Sequence, residues 1–200
     1  MTSAAWAFLQ FVLSGLIGAG VVYYFGLRQL VAQRRLAFAE RQLVEFYAPL
    51  AGLRMQIRAK SELRVKVGEA REAAWGEICK SYEGQLFHDH KERFIPFEKS
   101  IEYDNEQFKT EILPKYREML VLFTERYHLA AADTRAFYPA FLEFVEIWNR
   151  WLAEGLPREA LQKIDRGEEI VYPFYDHIEA RMEQLQNEIA RGGAGRLTSR

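Results

Sequence analysis

The sequence predicts an all-α protein, and three observations carry that expectation. Apolar residues recur at helical spacing through most of the chain. No Asn-Gly or Asp-Gly hairpin turn occurs, and Val65-Lys66-Val67 alternates too briefly to make a strand. One uncharged segment near the N-terminus has the length of a membrane-spanning helix. The expected architecture is a single transmembrane helix continuing into a basic juxtamembrane helix, then a cytoplasmic helical bundle with proline-bent helices.

The first element is the anchor, residues 1–27, with the span itself at about 4–27. Ala4 to Leu27 is a run of twenty-four residues without a charge, and Gln10 is its one amide. A helix of that length reaches roughly 36 Å, enough to cross a ~30 Å hydrocarbon core with some tilt. Trp6 near one end and Tyr23-Tyr24 near the other are the amphipathic rings expected at membrane interfaces. A cleaved signal peptide needs positive charge before its apolar run, whereas here the charge follows it. Arg28, Arg34, Arg35 and Arg41 crowd the C-terminal flank, and positive flanks stay cytoplasmic. The expected location is therefore a bacterial inner (plasma) membrane, crossed once, with the N-terminus outside and the remaining chain in the cytoplasm. Gly15, Gly18, Ser14 and Ala19 form two overlapping small-xxx-small pairs, a device that lets two spans self-associate.

Residues 28–72 form the basic juxtamembrane helix or stalk. Leu36, Leu43, Leu50 and Ile57 recur every seven residues, with Phe46 and Leu53 between them. Three heptad intervals fit a coiled coil between copies, and they fit a bundle helix equally well. Arg54, Arg58, Lys60, Arg64 and Lys66 fall largely off this seam. Off-seam cations meet anionic headgroups near a bilayer or solvate a face farther from it. Charge is strongly partitioned: residues 28–71 hold ten Lys/Arg against four Asp/Glu, a net of +6, and residues 72–200 hold seventeen against twenty-four, a net of −7.

Residues 73–191 form an acidic, aromatic-rich bundle that packs with part of 44–72, and 192–200 form a flexible tail. Helical spacing runs through Phe108, Ile112, Tyr116, Leu120, Phe123 and Tyr127, then through Phe137, Phe141, Phe144 and Trp148, and last through Phe174, Ile178, Met182, Leu185 and Ile189. Asp133 or Thr134 is the expected N-cap of the middle helix, and Gly192 the stop of the last. Two stretches echo each other, Phe46-Tyr47-Ala48-Pro49-Leu50 and Phe137-Tyr138-Pro139-Ala140-Phe141. A proline bends or restarts a helix, and aromatics beside it pack across the bend. Phe46, Tyr47, Pro49, Phe137, Tyr138 and Pro139 are read as bend-plus-packing devices, with all six prolines at helix starts or bends.

A span, a basic helix and then Phe46-Tyr47-Ala48-Pro49-Leu50 together resemble a loose group of uncharacterised bacterial single-pass inner-membrane proteins. The resemblance covers about the first sixty residues. It implies the inner-membrane context and carries no activity, cofactor or site residues with it.

Motifs for chemistry are scarce. The chain has no Gly-rich phosphate loop and no G-x-S-x-G elbow. Its single cysteine, Cys79, permits no internal disulfide and fits a reducing compartment, and it is read as inert. His88, His90 and Glu92 form the one ligand-like cluster, but no HExxH or cysteine pair completes a metal set. Glu125 and His128 match half of a di-iron motif whose second half is missing. The distal acidity repels phosphate, so nucleic acid is not an expected partner. The reading is a membrane-anchored interaction or scaffold module, leaning away from an enzyme, with no cofactor. Its partners are the bilayer, an unknown cytosolic protein and a second copy of itself. The alternative is a small membrane-bound enzyme or metal-dependent sensor built on His88 and His90.

Overall fold

The computed structural model describes the backbone of residues 3–82, 90–155, 157–161, 163–164 and 167–192, and their side chains except at 3–19, 21, 158 and 161. All regular structure among them is helical. The order is α1 (Ser3–Gln42), a π-turn (Leu43–Tyr47), α2 (Ala48–Ser81), α3 (His90–Gln107), a second π-turn (Phe108–Ile112) and α4 (Leu113–Glu125). A 3-10 turn (Tyr127–Leu129), α5 (Ala132–Arg135), α6 (Tyr138–Leu152), α7 (Arg158–Leu161), a 3-10 turn (Glu168–Val171) and α8 (Tyr172–Ala190) complete it.

The two π-turns have one sequence cause. Pro49 and Pro114 are each the second residue after such a turn. A proline has no N–H, and its ring strikes the carbonyl four residues back, which is Glu45 in the first case and Thr110 in the second. Widening that turn moves the carbonyl aside, so the Leu113 N–H reaches back five residues to the Phe108 carbonyl. The helix passes its proline instead of stopping, and the backbone is helical without interruption from Ser3 to Ser81. Pro139 and Pro173 sit at the second residue of α6 and α8, where no N–H is required. Pro96 departs from the expected pattern, lying inside α3.

The chain divides into two compact units, residues 44–181 and residues 1–43 with 182–200. In the larger unit, α4 packs on both α2 and α6, and the 3-10 turn at Glu168–Val171 packs on α6. Phe46, Tyr47, Leu50 and Ile57 come inward from the α2 side with no exposed surface. Leu113, Met119 and Phe123 meet them from α4, Phe141 from α6, and Phe174 and Ile178 from α8. Phe123 is the hub: its ring lies 5.3 Å from Phe46, 5.2 Å from Tyr138 and 5.5 Å from Phe174. Edge and offset ring contacts at these separations add about 0.5–1.5 kcal/mol each beyond burial. The lower half of the heptad seam, Leu50 and Ile57, is thus consumed inside this unit in the manner of a bundle helix.

In the smaller unit, α1 contributes the buried Ala39 and Gln42, and the end of α8 contributes Leu185. Val22 to Phe25 are all exposed. Gly192 ends α8 with φ +65°, the left-handed conformation a glycine adopts without strain. Among the described residues no helix is long and apolar enough to cross a membrane. Most of the uncharged run, including Ala4, Trp6, Ser14, Gly15, Gly18 and Ala19, falls at side chains outside the described set.

One capping expectation is corrected. Neither Asp133 nor Thr134 caps α6, whose N-cap position is Phe137. Thr134 instead lies within α5, fully buried, and its hydroxyl serves two long-range partners described below. Glu154 rather than Gly155 takes the left-handed position after α6, at φ 53°, while the Gly155 N–H bonds the Arg150 carbonyl at 2.8 Å.

Candidate functional site

The basic face of α2 meets acidic residues of the rest of its own unit. Arg54 Nη1 bonds Glu168 Oε1 at 3.1 Å, Lys60 pairs with Glu111, and Arg71 Nη1 lies 2.6 Å from Asp104 Oδ2 and 3.1 Å from Ser100 Oγ. Arg58 bonds Glu62 one turn on, and the Arg64 guanidinium lies over the Phe108 ring. Four of the five off-seam cations, Arg54, Arg58, Lys60 and Arg64, therefore have specific partners within the fold, rather than forming only a solvated or headgroup-facing surface. Part of the charge asymmetry along the chain is internal complementarity. The Arg58 bond also holds the Glu62 carboxyl below its usual range.

Glu168 is the centre of this arrangement. Its Oε1 accepts from Arg54 and from the Tyr116 hydroxyl, the latter at 2.6 Å. The Arg54 guanidinium also covers the Tyr175 ring, 3.9 Å from its centroid. Burial, with Tyr175 and Glu168 nearby, pushes the Tyr116 phenol well above its ordinary range, and burial does the same to Tyr175. Both hydroxyls are therefore donors at any physiological pH. Around this centre lies a cleft of about 640 Å³ between α2 and α8, and beside it a smaller bay of about 220 Å³ lined by Phe108, Phe144 and Trp148.

A second polar array sits at the first π-turn. The hydroxyls of Tyr47 and Thr134 are hydrogen-bonded at 2.7 Å, and the Tyr47 oxygen accepts from the Ala131 N–H at 3.1 Å. Thr134 Oγ1 lies 2.8 Å from His177 Nε2, and Asp133 Oδ1 is 3.9 Å from that nitrogen. These groups satisfy one another, and the array ties the first π-turn to α5 and α8.

The residues singled out from sequence are distributed as follows. Phe46 and Tyr47 are buried in the core, whereas Phe137 and Tyr138 are half-buried, Pro49 is half-buried and Pro139 exposed. Tyr23, Leu27, Arg28, Arg34, Arg35 and Arg41 are exposed along α1. His88 falls outside the described residues. His90 and Glu92 are exposed in the first turn of α3, and the His90 ring meets the edge of Trp75 at 5.1 Å. Among the described residues no three His, Cys, Asp or Glu side chains are grouped to hold a metal. Cys79 is exposed. For His88→Ala with His90→Ala the expected result is a melting temperature and metal content unchanged from the parent. Stability within about 0.5 kcal/mol is the usual range for surface sites. Elemental analysis beside thermal unfolding checks this, and stoichiometric zinc or iron lost in the double variant would promote a metal-dependent role.

Glu168, Tyr116 and Tyr175 had no signal in the sequence beyond helical spacing. Arg54 meets its carboxylate across 114 residues of chain, a pairing that only the packed helices create. Comparisons with protein-family models, curated proteins and solved structures give no match to this chain.

Proposed function

We propose that this chain is a membrane-anchored helical module that presents its bundle in the cytoplasm as a binding and scaffolding unit. The observation that carries the reading is the surface of α1. Val22, Tyr23, Tyr24 and Phe25 are 60–73% exposed, and Leu27, Leu30 and Val31 continue the exposure. Four successive helical residues at 100° steps cover most of a helix circumference, so no single face can be turned to a protein core. A helix apolar all round, with no charge from Ala4 to Leu27, is matched to lipid. The exposed Arg28, Arg34, Arg35 and Arg41 follow at once, and such charges hold their flank on the cytoplasmic side. Small residues Ser14, Gly15, Gly18 and Ala19 would let two such anchors meet, and Leu36 and Leu43, both half-buried, would extend that contact.

Reporter fusions test the orientation. Alkaline phosphatase at the C-terminus should be inactive and a fluorescent protein there bright. Replacing Arg28, Arg34 and Arg35 by Ala, with three lysines inserted before Ala4, should shift part of the population to the opposite orientation. A phosphatase fusion active in the periplasm with the parent sequence would refute the assigned orientation, and recovery of the whole protein in the soluble fraction would refute the anchor itself.

A further inference from the structure

We propose that the cleft between α2 and α8 and the adjoining Trp148 bay form one binding site for a small amphipathic amine. Its ammonium is held by carboxylates of the cleft, and its apolar body fills the bay. The site does not depend on membrane attachment, since every residue that lines it lies within 44–181.

The two cavities adjoin, and Ser61, Val65 and Glu168 line both. Their combined space accommodates a molecule of modest size, and their linings differ in character. The bay is walled mainly by Val65, Phe108, Ile112, Phe144 and Trp148, with the Phe108 and Trp148 rings 4.5 Å apart. Flat apolar walls of this kind take an aromatic or branched body.

Two polar groups beside the site are closed to a ligand and one is open. Trp148 Nε1 is buried without a hydrogen-bond partner and presents no accessible surface to the bay, so the bay selects for an apolar body. The Tyr175 hydroxyl, on a side chain only 3% exposed, is likewise buried beside Tyr116 with no partner at hydrogen-bonding geometry. Glu168 offers the reverse: Arg54 and Tyr116 both bond its Oε1, and no described residue bonds its Oε2.

The charge of the head group follows from the cleft walls. Arg54 and Arg58 are committed to Glu168 and Glu62. That leaves Glu69, Asp176 and Glu179 against Lys66 in the cleft and Arg64, which lies over the Phe108 ring, in the bay, so the open charge is negative. A cation is attracted there, and an anion of the same shape must pass three carboxylates to enter. Charge-assisted hydrogen bonds to a carboxylate are roughly twice as strong as neutral ones, which sets the expected preference.

Tyramine is a suitable probe, with an ammonium at one end and a flat ring for the bay at the other. Its matched anion, 3-(4-hydroxyphenyl)propionate, keeps the ring and phenol and reverses the charge. Titration of the full chain in phosphatidylcholine nanodiscs, with empty nanodiscs subtracted, should show saturable binding of one tyramine per chain and a change in tryptophan fluorescence. The propionate should bind at least about tenfold more weakly. Asp176→Asn with Glu179→Gln, both exposed positions, should weaken tyramine about fivefold or more and narrow its advantage over the propionate. Trp148→Phe keeps an aromatic wall, so it should leave tyramine affinity nearly unchanged while reducing the fluorescence change. Propionate binding as tight as tyramine would overturn the proposal, as would the absence of saturable tyramine binding at millimolar concentration. A double variant with unchanged tyramine affinity would also overturn it. Circular dichroism of each variant separates loss of binding from loss of fold.

Discussion

Replacing Phe46 by alanine should unfold the bundle far more readily than the same change at Phe137, its counterpart in the second aromatic-proline stretch. The side chain has no exposed surface, and its ring is held edge-on by Tyr47 at 4.8 Å and by Phe123 at 5.3 Å. Truncating a buried phenylalanine costs ~3–5 kcal/mol, a large share of a domain stability of ~5–15 kcal/mol. For a chain of this size that is a fall in melting temperature of roughly 10 °C, at ~2–4 °C per kcal/mol. The site has little scope to relax, because the π-turn fixes the backbone on one side and the Phe123 hub fills the other. Phe137→Ala should cost much less. That ring is half-buried, and it meets the Phe174 ring at 5.8 Å and the His177 ring at 5.1 Å. Thermal unfolding of both variants in detergent micelles gives the order directly. Equal shifts, or a larger one for Phe137, would mean that the π-turn contributes less to the core than its burial implies.

The difference between these two stretches marks where sequence reasoning ended. Phe46-Tyr47 and Phe137-Tyr138 look alike in composition, and both precede a proline at the second position of a helix. They differ in what stands before the proline. The first is entered from an unbroken helix, so the clash is absorbed in a wide turn and both rings point into the core. The second is entered from a short turn after α5, and its rings sit at the edge. Helical spacing made the all-α class legible, because core positions such as Ile112, Tyr116, Met119 and Phe123 recur at three- and four-residue steps. The π-turns were not legible, since a one-residue widening leaves the apolar spacing nearly intact. The ionic centre at Glu168 was hidden for another reason. A residue that pairs across the fold carries no local mark, and Arg54 reads like any other cation on the outer face of a helix. Only the net charges of the two halves hinted that one would be drawn to the other.

Thr134→Val should produce the second large loss, although it removes only one hydroxyl. Valine keeps the shape and the apolar contacts of threonine, so no cavity is formed and the effect isolates the hydrogen bonds. Thr134 has no exposed surface, and its Oγ1 lies 2.7 Å from the Tyr47 hydroxyl and 2.8 Å from His177 Nε2. The substitution leaves both partners short of a hydrogen bond in the interior. Each unmatched buried group costs about 1–3 kcal/mol. The loss at Tyr47 is the smaller, because its oxygen still accepts from the Ala131 N–H. The loss at His177 is also moderated, since its side chain is 20% exposed and can turn toward water. The expected total is therefore about 2–3 kcal/mol, below the cost at Phe46 but far outside the surface range. Tyr47→Phe removes one of the two bonds, and the two single changes share it. Their double variant should accordingly cost less than the sum of the two, by about 0.5–1.5 kcal/mol. Denaturant unfolding of the four proteins closes this cycle. Strict additivity would show that the 2.7 Å contact between the hydroxyls contributes nothing to holding the π-turn against α5.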